Sequence, residues 1–354
     1  MNKWLRYPLV KFFLALMLVN LLCWWFNPYN RVPDAVSVPR NVESKRAWPK
    51  YVSAPKDPDK KLVVLIGNSQ SYGEFEENPE TIYPALLKQK LNNHSVVLEN
   101  WSLRGIRTAD IELLSAQAIA KGADMILFVL DMSNFDAPEN INLDFPNTDI
   151  NLLLSDAKVR ELMEHSLLRK NYNIEHVLRK ILQRYVPMAS IRHPFYTELS
   201  DRIVNKHDEI FVFGNPVSRE FNPQINDFKV MRDRLMHKKL NPNFKVKIED
   251  THFFTYLKTA VLFDYYLSKR LKGSQTKVMF VWQPLLTQQM SELEIKRITQ
   301  FRKNMNKLNQ KFAFKHKDLV NAVSASGMTT ISHFNSKGHR AFADTLFQYL
   351  KHEF

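Results

Sequence analysis

Apolar positions recur along the chain in two rhythms. Leu62-Val63-Val64-Leu65-Ile66, Met125–Leu130 and Lys277–Trp282 are short, almost unbroken apolar runs, the pattern of strands buried on both faces of a parallel sheet. Between and after them, apolar residues return at helical spacing over Ile82–Leu91, with Pro84 in its first turn, over Ala109–Lys121 and over Ser291–Leu308. Shorter strands are expected at Ser95–Leu98 and Phe312–Phe314, and Gly338–Leu350 reads as a closing helix. Three strand-loop-helix steps between Lys61 and Asp136 predict a doubly wound α/β protein: a three-layer α/β/α sandwich with a mainly parallel sheet.

Two regions depart from that rhythm. Residues 137–272 carry longer, charged helical stretches, Ala157–Tyr185 and His252–Leu271, with little strand signal, and are expected to form a helical insertion or cap. The basic pairs Arg169-Lys170, Arg179-Lys180 and Lys238-Lys239 within it are read as solvated faces. At the other end, Pro8–Phe26 is a 19-residue segment interrupted only by Lys11 and Asn20 and closed by Trp24-Trp25-Phe26. It is just long enough to span a bilayer if Lys11 snorkels, and no small-residue cleavage site follows it. The expectation is an anchor over 1–27, an extended tether over 28–60 stiffened by Pro28, Pro33, Pro39, Pro49, Pro55 and Pro58, and a folded domain over 61–354. Lys3, Arg6 and Lys11 pack closely before the span, against Arg31, Arg40, Lys45 and Arg46 more loosely after it. That balance is nearly even, and the tighter cluster sets the N-terminus in the cytoplasm and the domain outside it.

Composition narrows the chemistry. The net charge of +14 leaves a polyanionic partner open, but zinc-ligand spacing, the aromatic motif of an RNA-binding sheet and a basic heptad helix are all missing. Cys23 is the single cysteine, so an internal disulfide and a thiolate metal cluster are both excluded. Gly-x-Gly-x-x-Gly and Gly-Lys-Ser/Thr do not follow Ile66, which sets aside a dinucleotide or P-loop site. No metal and no cofactor is expected. With only eight glycines in the chain, well under the roughly 7% of average proteins, Gly67, Gly105 and Gly338 each stand out.

All three glycines fall in loops expected at strand ends, where open α/β sheets bind ligands. Ser69 follows the first strand in Gly67-Asn68-Ser69-Gln70, and Asn100 and Gly105 follow the second. Asn134 follows the third, and His333 lies before the last helix in Thr330-Ile331-Ser332-His333. A nucleophilic serine needs a base, here His333, and donors aimed at the developing oxyanion, here the Ser69 and Gly105 N–H groups and the Asn134 amide. Ser71 is a competing nucleophile two residues on. Asp250-Thr251-His252 pairs a carboxylate with an imidazole, but without further ligand spacing it reads as a helix start capped by Asp250.

These four segments resemble the sequence blocks of the SGNH hydrolases, also called the GDSL family, named for Ser, Gly, Asn and His. Gly67-Asn68-Ser69-Gln70 is similar to the first block, with Asn68 where Asp is usual. Asn100–Thr108 resembles the second, with Gly105 as its glycine. Met132-Ser133-Asn134 resembles the third without its first glycine, and His333-Phe334-Asn335-x-x-Gly338-His339 resembles the fourth. The likeness covers about residues 61–136 and 276–354 and leaves out the middle. It implies an acyl-enzyme on Ser69, His333 as general base and acid, and an oxyanion site of Ser69, Gly105 and Asn134. One departure stands out, since the family usually has Asp three residues before the histidine and this chain has Thr330. The resemblance therefore leaves Asp131, Asp136 and Asp318 as candidates to orient His333 from elsewhere, and a weak esterase is expected.

The function expected from this is cleavage or transfer of an O-acyl ester, probably acetyl by family analogy, on a cell-envelope glycan or lipid. The enzyme would be a single-pass protein of the inner (cytoplasmic) membrane, working outside the cytoplasm, beside a membrane-bound O-acyltransferase partner and without nucleic acid. The rival expectation is an SGNH-fold binding or assembly protein that has lost catalysis.

Overall fold

The computed structural model describes residues 8–25, 51–76, 78–103, 105–135, 156–168, 250–312 and 314–354. Most of the tether, the basic pairs at 169–170, 179–180 and 238–239, and Asp136 lie outside the described residues. Helix α1 spans Pro8–Trp25. The sheet begins with β1 (Lys61–Gly67), followed by the short helix α2 (Ser69–Tyr72), α3 (Tyr83–Asn92), β2 (Val96–Asn100), α4 (Thr108–Lys121) and β3 (Met125–Leu130). Helices α5 (Ala157–Met163) and α6 (Asp250–Arg270) precede β4 (Lys277–Trp282), α7 (Glu292–Lys311) and β5 (Lys315–Asp318). A small antiparallel pair, β6 (Met328–Thr330) and β7 (His333–Phe334), leads into α8 (Ser336–Leu350).

All five main strands run parallel in the order β2-β1-β3-β4-β5. Strand side chains alternate between faces, and here both faces are buried. Val64, Ile66, Ile126, Phe128 and Phe280 meet helices α4, α6 and α7 on one side, while Val63, Leu65, Leu127, Val129 and Met279 meet α3 and α8 on the other. The order reverses at β1, whose neighbours are β2 and β3. The loops after those three strands therefore open around one crevice, the switch point where doubly wound sheets place ligands.

Two strand expectations are corrected. The last main strand is Lys315–Asp318 rather than Phe312–Phe314. Phe314 is spent on the core instead, and an edge strand paired only to β4 tolerates the polar run Lys-His-Lys-Asp that the apolar criterion passed over. Thr330 and His333, expected in a loop, lie on facing strands of the β6–β7 pair.

Within the stretch 137–272, α6 packs straight onto the sheet. Phe263 lies edge-on to Phe128 with ring centroids 5.7 Å apart, and Ala260 and Leu267 are also buried. It lies in the connection that must cross over between the parallel strands β3 and β4. Arg270 ties it to α4 through a fully buried ion pair with Glu112 and hydrogen bonds to the Glu112 carbonyl at 2.8 Å and Ser115 Oγ at 2.9 Å. Burial pushes the Glu112 carboxyl up to about 7 against the opposing pull of Arg270.

Asp264 on α6 is also buried, with neither carboxylate oxygen hydrogen-bonded, and burial holds its carboxyl well above the ordinary 3.8. Because the folded value lies above the unfolded one, its contribution is fully present below the unfolded value. It is then lost as pH rises towards the folded value, at up to about 1.4 kcal/mol per pH unit. Asp264→Asn should remove that slope. Urea midpoints at pH 5 and pH 8 should lie closer together in the variant than in the wild type, and an equal gap would show that Asp264 does not carry the linkage.

The expected N-terminal span is a helix, with Phe12, Phe13, Leu14, Met17, Leu18, Leu21 and Leu22 exposed. Among the described residues, however, no helix is long and apolar enough to cross a membrane. The 18 residues of α1 rise about 27 Å against a hydrocarbon core of about 30 Å, and Lys11 and Asn20 interrupt its apolar surface.

Candidate active site

The first strand ends in a turn that admits only glycine. A Cβ on Gly67 would fall 2.2 Å from Ser71 Oγ and 2.9 Å from Ser102 Oγ, so the backbone here runs against the exits of its neighbours. Asn68 then caps α2, its Oδ1 accepting from the Gln70 N–H at 3.0 Å. Its Nδ2 faces Asp131 Oδ2 at 3.3 Å and Asn134 Oδ1 at 3.4 Å. Two acceptors converge on this side chain, so an amide donor suits the position and a second carboxylate there would meet Asp131 with like charge.

Ser69 opens α2 half-buried, and its Oγ lies 2.8 Å from His333 Nε2. On the far side of the ring, Nδ1 is 2.7 Å from Thr330 Oγ1 and 3.3 Å from Ser332 Oγ. The β6–β7 pairing sets Thr330 opposite His333, which is how a residue three positions earlier reaches the imidazole. If Ser69 donates to Nε2, the proton of the neutral ring sits on Nδ1 and Thr330 accepts it. Phe75 stands edge-on to the imidazole, with centroids 4.5 Å apart, and helps fix its plane. Gln70 Nε2 donates to the Ser332 carbonyl at 2.8 Å and the Pro284 carbonyl at 3.2 Å, tying the serine turn to the histidine strand.

The other predicted positions divide between this crevice and the scaffold. Asn134 ends a 3-10 turn, Met132–Asn134, that follows β3. Its Oδ1 accepts from the Asp131 N–H at 2.9 Å, and since that N–H can only donate, the side-chain oxygen must face it. Nδ2 is thereby turned to the Ile106 carbonyl at 3.2 Å, with a second proton to spare. The chain of contacts Asn68–Asn134–Ile106 joins the loops after β1, β3 and β2. Gly105, exposed beside Ile106, has φ +62°, a left-handed conformation that side chains adopt at a cost. A Cβ there would meet nothing within 4 Å, so the residue answers to backbone angle and not to space.

Asn100 is structural, donating to the Ser71 carbonyl at 3.2 Å and accepting from the Ser102 N–H. Ser71 is fully buried, with its hydroxyl 2.5 Å from that of Tyr83. It faces α3, away from His333. His339 likewise takes the Tyr83 N–H at its Nδ1, 3.2 Å away, inside the core. Asp250 begins α6.

The carboxylates considered as orienting groups lie elsewhere. Asp131 receives Gln283 Nε2 at 2.5 Å and the Ser133 N–H at 2.7 Å, and Asp318 pairs with Arg302 at 3.0 Å. Arg302 also donates to the Gln283 carbonyl at 3.1 Å, which completes a polar brace beneath the crevice running from Asn68 to β5. The residues that sequence reasoning missed are Thr330 as a hydroxyl partner, Ser332, Gln70, Gln283 and Glu74, whose Oε2 is 3.5 Å from His333 Nε2. The spacing of Thr330 from His333 was the available signal for the first of these; Glu74 gave none. Among the described residues no three His, Cys, Asp or Glu side chains gather as a metal site.

No family model matches the chain, and no curated protein matches it. Among solved structures it is similar to the acetyl xylan esterase AlAXEase, at 11% identity and a TM-score of 0.40, over 82% of this chain and 99% of that one. It is similar also to Est24, a carbohydrate acetylesterase from Sinorhizobium meliloti, at 9% identity and a TM-score of 0.40, over 83% and 100%. A third is the aryl esterase of M. smegmatis, at 12% identity and a TM-score of 0.36, over 82% and 99%. Likeness at this level carries no argument about activity, which rests on the side chains of the crevice.

Proposed function

We propose that the chain is an SGNH-type serine enzyme that cleaves or transfers an O-acyl ester, with acetyl as the acyl group. The observation that carries this reading is the relay Ser69 Oγ–His333 Nε2 at 2.8 Å, continued from Nδ1 to Thr330 Oγ1 at 2.7 Å. His333 takes the Ser69 proton as Oγ attacks the acyl carbonyl. The tetrahedral oxyanion is met by the first-turn N–H of Ser69, the N–H of Gly105 and the second Nδ2 proton of Asn134. His333 then protonates the leaving alcohol, and the acyl-enzyme passes its acyl group to water or to a second hydroxyl.

Thr330 is uncharged. It holds the tautomer but does not neutralise the imidazolium, which accounts for the weak turnover expected on simple esters. Thr330→Val keeps the shape and removes the acceptor, leaving Nδ1 with the Ser332 hydroxyl at 3.3 Å. Turnover of 4-nitrophenyl acetate should fall about 10-fold or more, the lower end of what general-base positioning contributes. Wild-type turnover in Thr330→Val would show that Thr330 does not orient the ring. The same uncharged partner is the observation that favours a non-catalytic binding protein as the second reading.

The proposal extends to the setting. The exposed apolar side chains of α1 support a membrane-held N-terminus, with Lys11 snorkelling and Phe26 adding to its apolar length. The substrate would then be an acylated envelope glycan or lipid outside the cytoplasmic membrane, handled with a membrane-bound O-acyltransferase. Acetate release from O-acetylated envelope polysaccharide, absent with Ser69→Ala, tests the activity. A reporter fused after Phe354 and active only in the cytoplasm would overturn the topology.

A further inference from the structure

Glu74 stands at the rim of the crevice beside the nitrogen that receives the serine proton. Its Oε2 lies 3.5 Å from His333 Nε2, and the two side chains are 13% and 9% exposed, so their mutual field is weakly screened. The backbone places it there. Gly73 turns the chain at φ +75°, where a Cβ would also strike Ile82, and the Glu74 N–H donates to the Ser69 carbonyl at 3.1 Å. Phe75, the next residue, is the ring that abuts His333. The same tight turn therefore delivers both an aromatic edge and a carboxylate to the imidazole.

The other charged groups around the site are engaged elsewhere. Glu76 accepts from the Ser336 hydroxyl at 2.7 Å, Asp131 is held by Gln283 and Ser133, and Asp318 by Arg302. From β6 and the bend after it, His333 meets only the hydroxyls of Thr330 and Ser332. Among the described residues, Glu74 is the carboxylate within 4 Å of the ring.

We propose that Glu74 balances the positive charge that His333 acquires, acting from the Nε2 side in place of an acid at position 330. The proposal rests on the acyl-ester reading above. As the Ser69 O–H bond breaks, its proton moves to Nε2 and the Oγ–carbonyl bond forms. The new N–H then faces the leaving oxygen, with Glu74 alongside. A separation of 3.5 Å is that of an ion pair and too long for a strong hydrogen bond, so the carboxylate attracts the charge without holding back the proton. Glu74 stays ionised and touches no reacting atom, which makes it a positioning residue. The same negative charge beside the nucleophile sets a preference for uncharged acyl groups such as acetyl over anionic ones such as hemisuccinyl.

The test is Glu74→Gln, close in shape and uncharged, with the fold checked by circular dichroism. Turnover of 4-nitrophenyl acetate should fall about 10-fold with KM little changed. The ascending limb of kcat/KM should move to lower pH by about one unit, because an imidazolium without its counter-charge releases its proton more readily. The rate ratio of acetate to hemisuccinate ester should also fall. A merely structural role would move neither the limb nor the ratio. A folded Glu74→Gln with both unchanged overturns the proposal. The pH dependence of Ser69 modification by a fluorophosphonate reads the same limb without turnover. Failure of the folded wild type to label overturns the acyl-ester reading, and the proposal with it.

Discussion

Ser69→Ala should abolish covalent labelling by a fluorophosphonate and lower ester turnover by about 10⁴-fold or more, the scale on which a removed nucleophile is felt. Such reagents need an activated hydroxyl together with donors that polarise the phosphoryl oxygen, and Ser69 stands alone in having an imidazole nitrogen at 2.8 Å among the described serines. His333→Ala should reduce labelling almost as far, since the hydroxyl would keep its place on α2 but lose its base. Ser71→Ala should leave labelling intact while costing some stability, because its hydroxyl is buried against Tyr83. Mass spectrometry of the labelled peptide decides the matter. Label on another serine, or undiminished turnover in Ser69→Ala, would sink the mechanism.

Asn134→Ala should lower kcat by about 10²–10³ with KM nearly unchanged, as expected of a donor that binds charge present only in the transition state. The side chain is held at both ends, by the Asp131 N–H on its oxygen and the Ile106 carbonyl on its nitrogen, so its remaining proton is preorganised. Removing it also leaves the Asp131 N–H without its side-chain acceptor, and a modest loss of thermal stability should accompany the loss of rate. The two effects separate when kcat is measured well below the unfolding temperature. A folded Asn134→Ala with wild-type kcat would place the oxyanion elsewhere.

Much of the site could be read from local rules. The aliphatic run Leu62–Ile66 ending in Gly67 marked a buried strand and its exit, and a serine two residues on fell at the mouth of the crevice because parallel strands all end on the same side. Asn134 and His333 followed from the same reasoning. Thr330 was read as a missing acid because sequence shows which residue type is lost; the β6–β7 pairing shows that a hydroxyl has taken up the contact. Glu74 had no signature, since one glutamate among 36 acidic residues has no period or spacing to single it out.

What the sequence determined by itself was the class of fold and the pair of groups fit for acyl chemistry, because buried parallel strands need continuous apolar runs and exits need turn formers. The tertiary structure decided which groups surround His333. Hydrogen bonds and ion pairs depend on distances of a few ångströms between residues far apart in the chain, as with Ser69 and His333. Only the packing of α2, the β6–β7 pair and the turn at Gly73 sets Ser69, Thr330 and Glu74 around one imidazole. It also turned Asp131 and Asp318 away into the brace beneath, a choice made by the positions of Gln283 and Arg302 on strands and helices that no local pattern brings together.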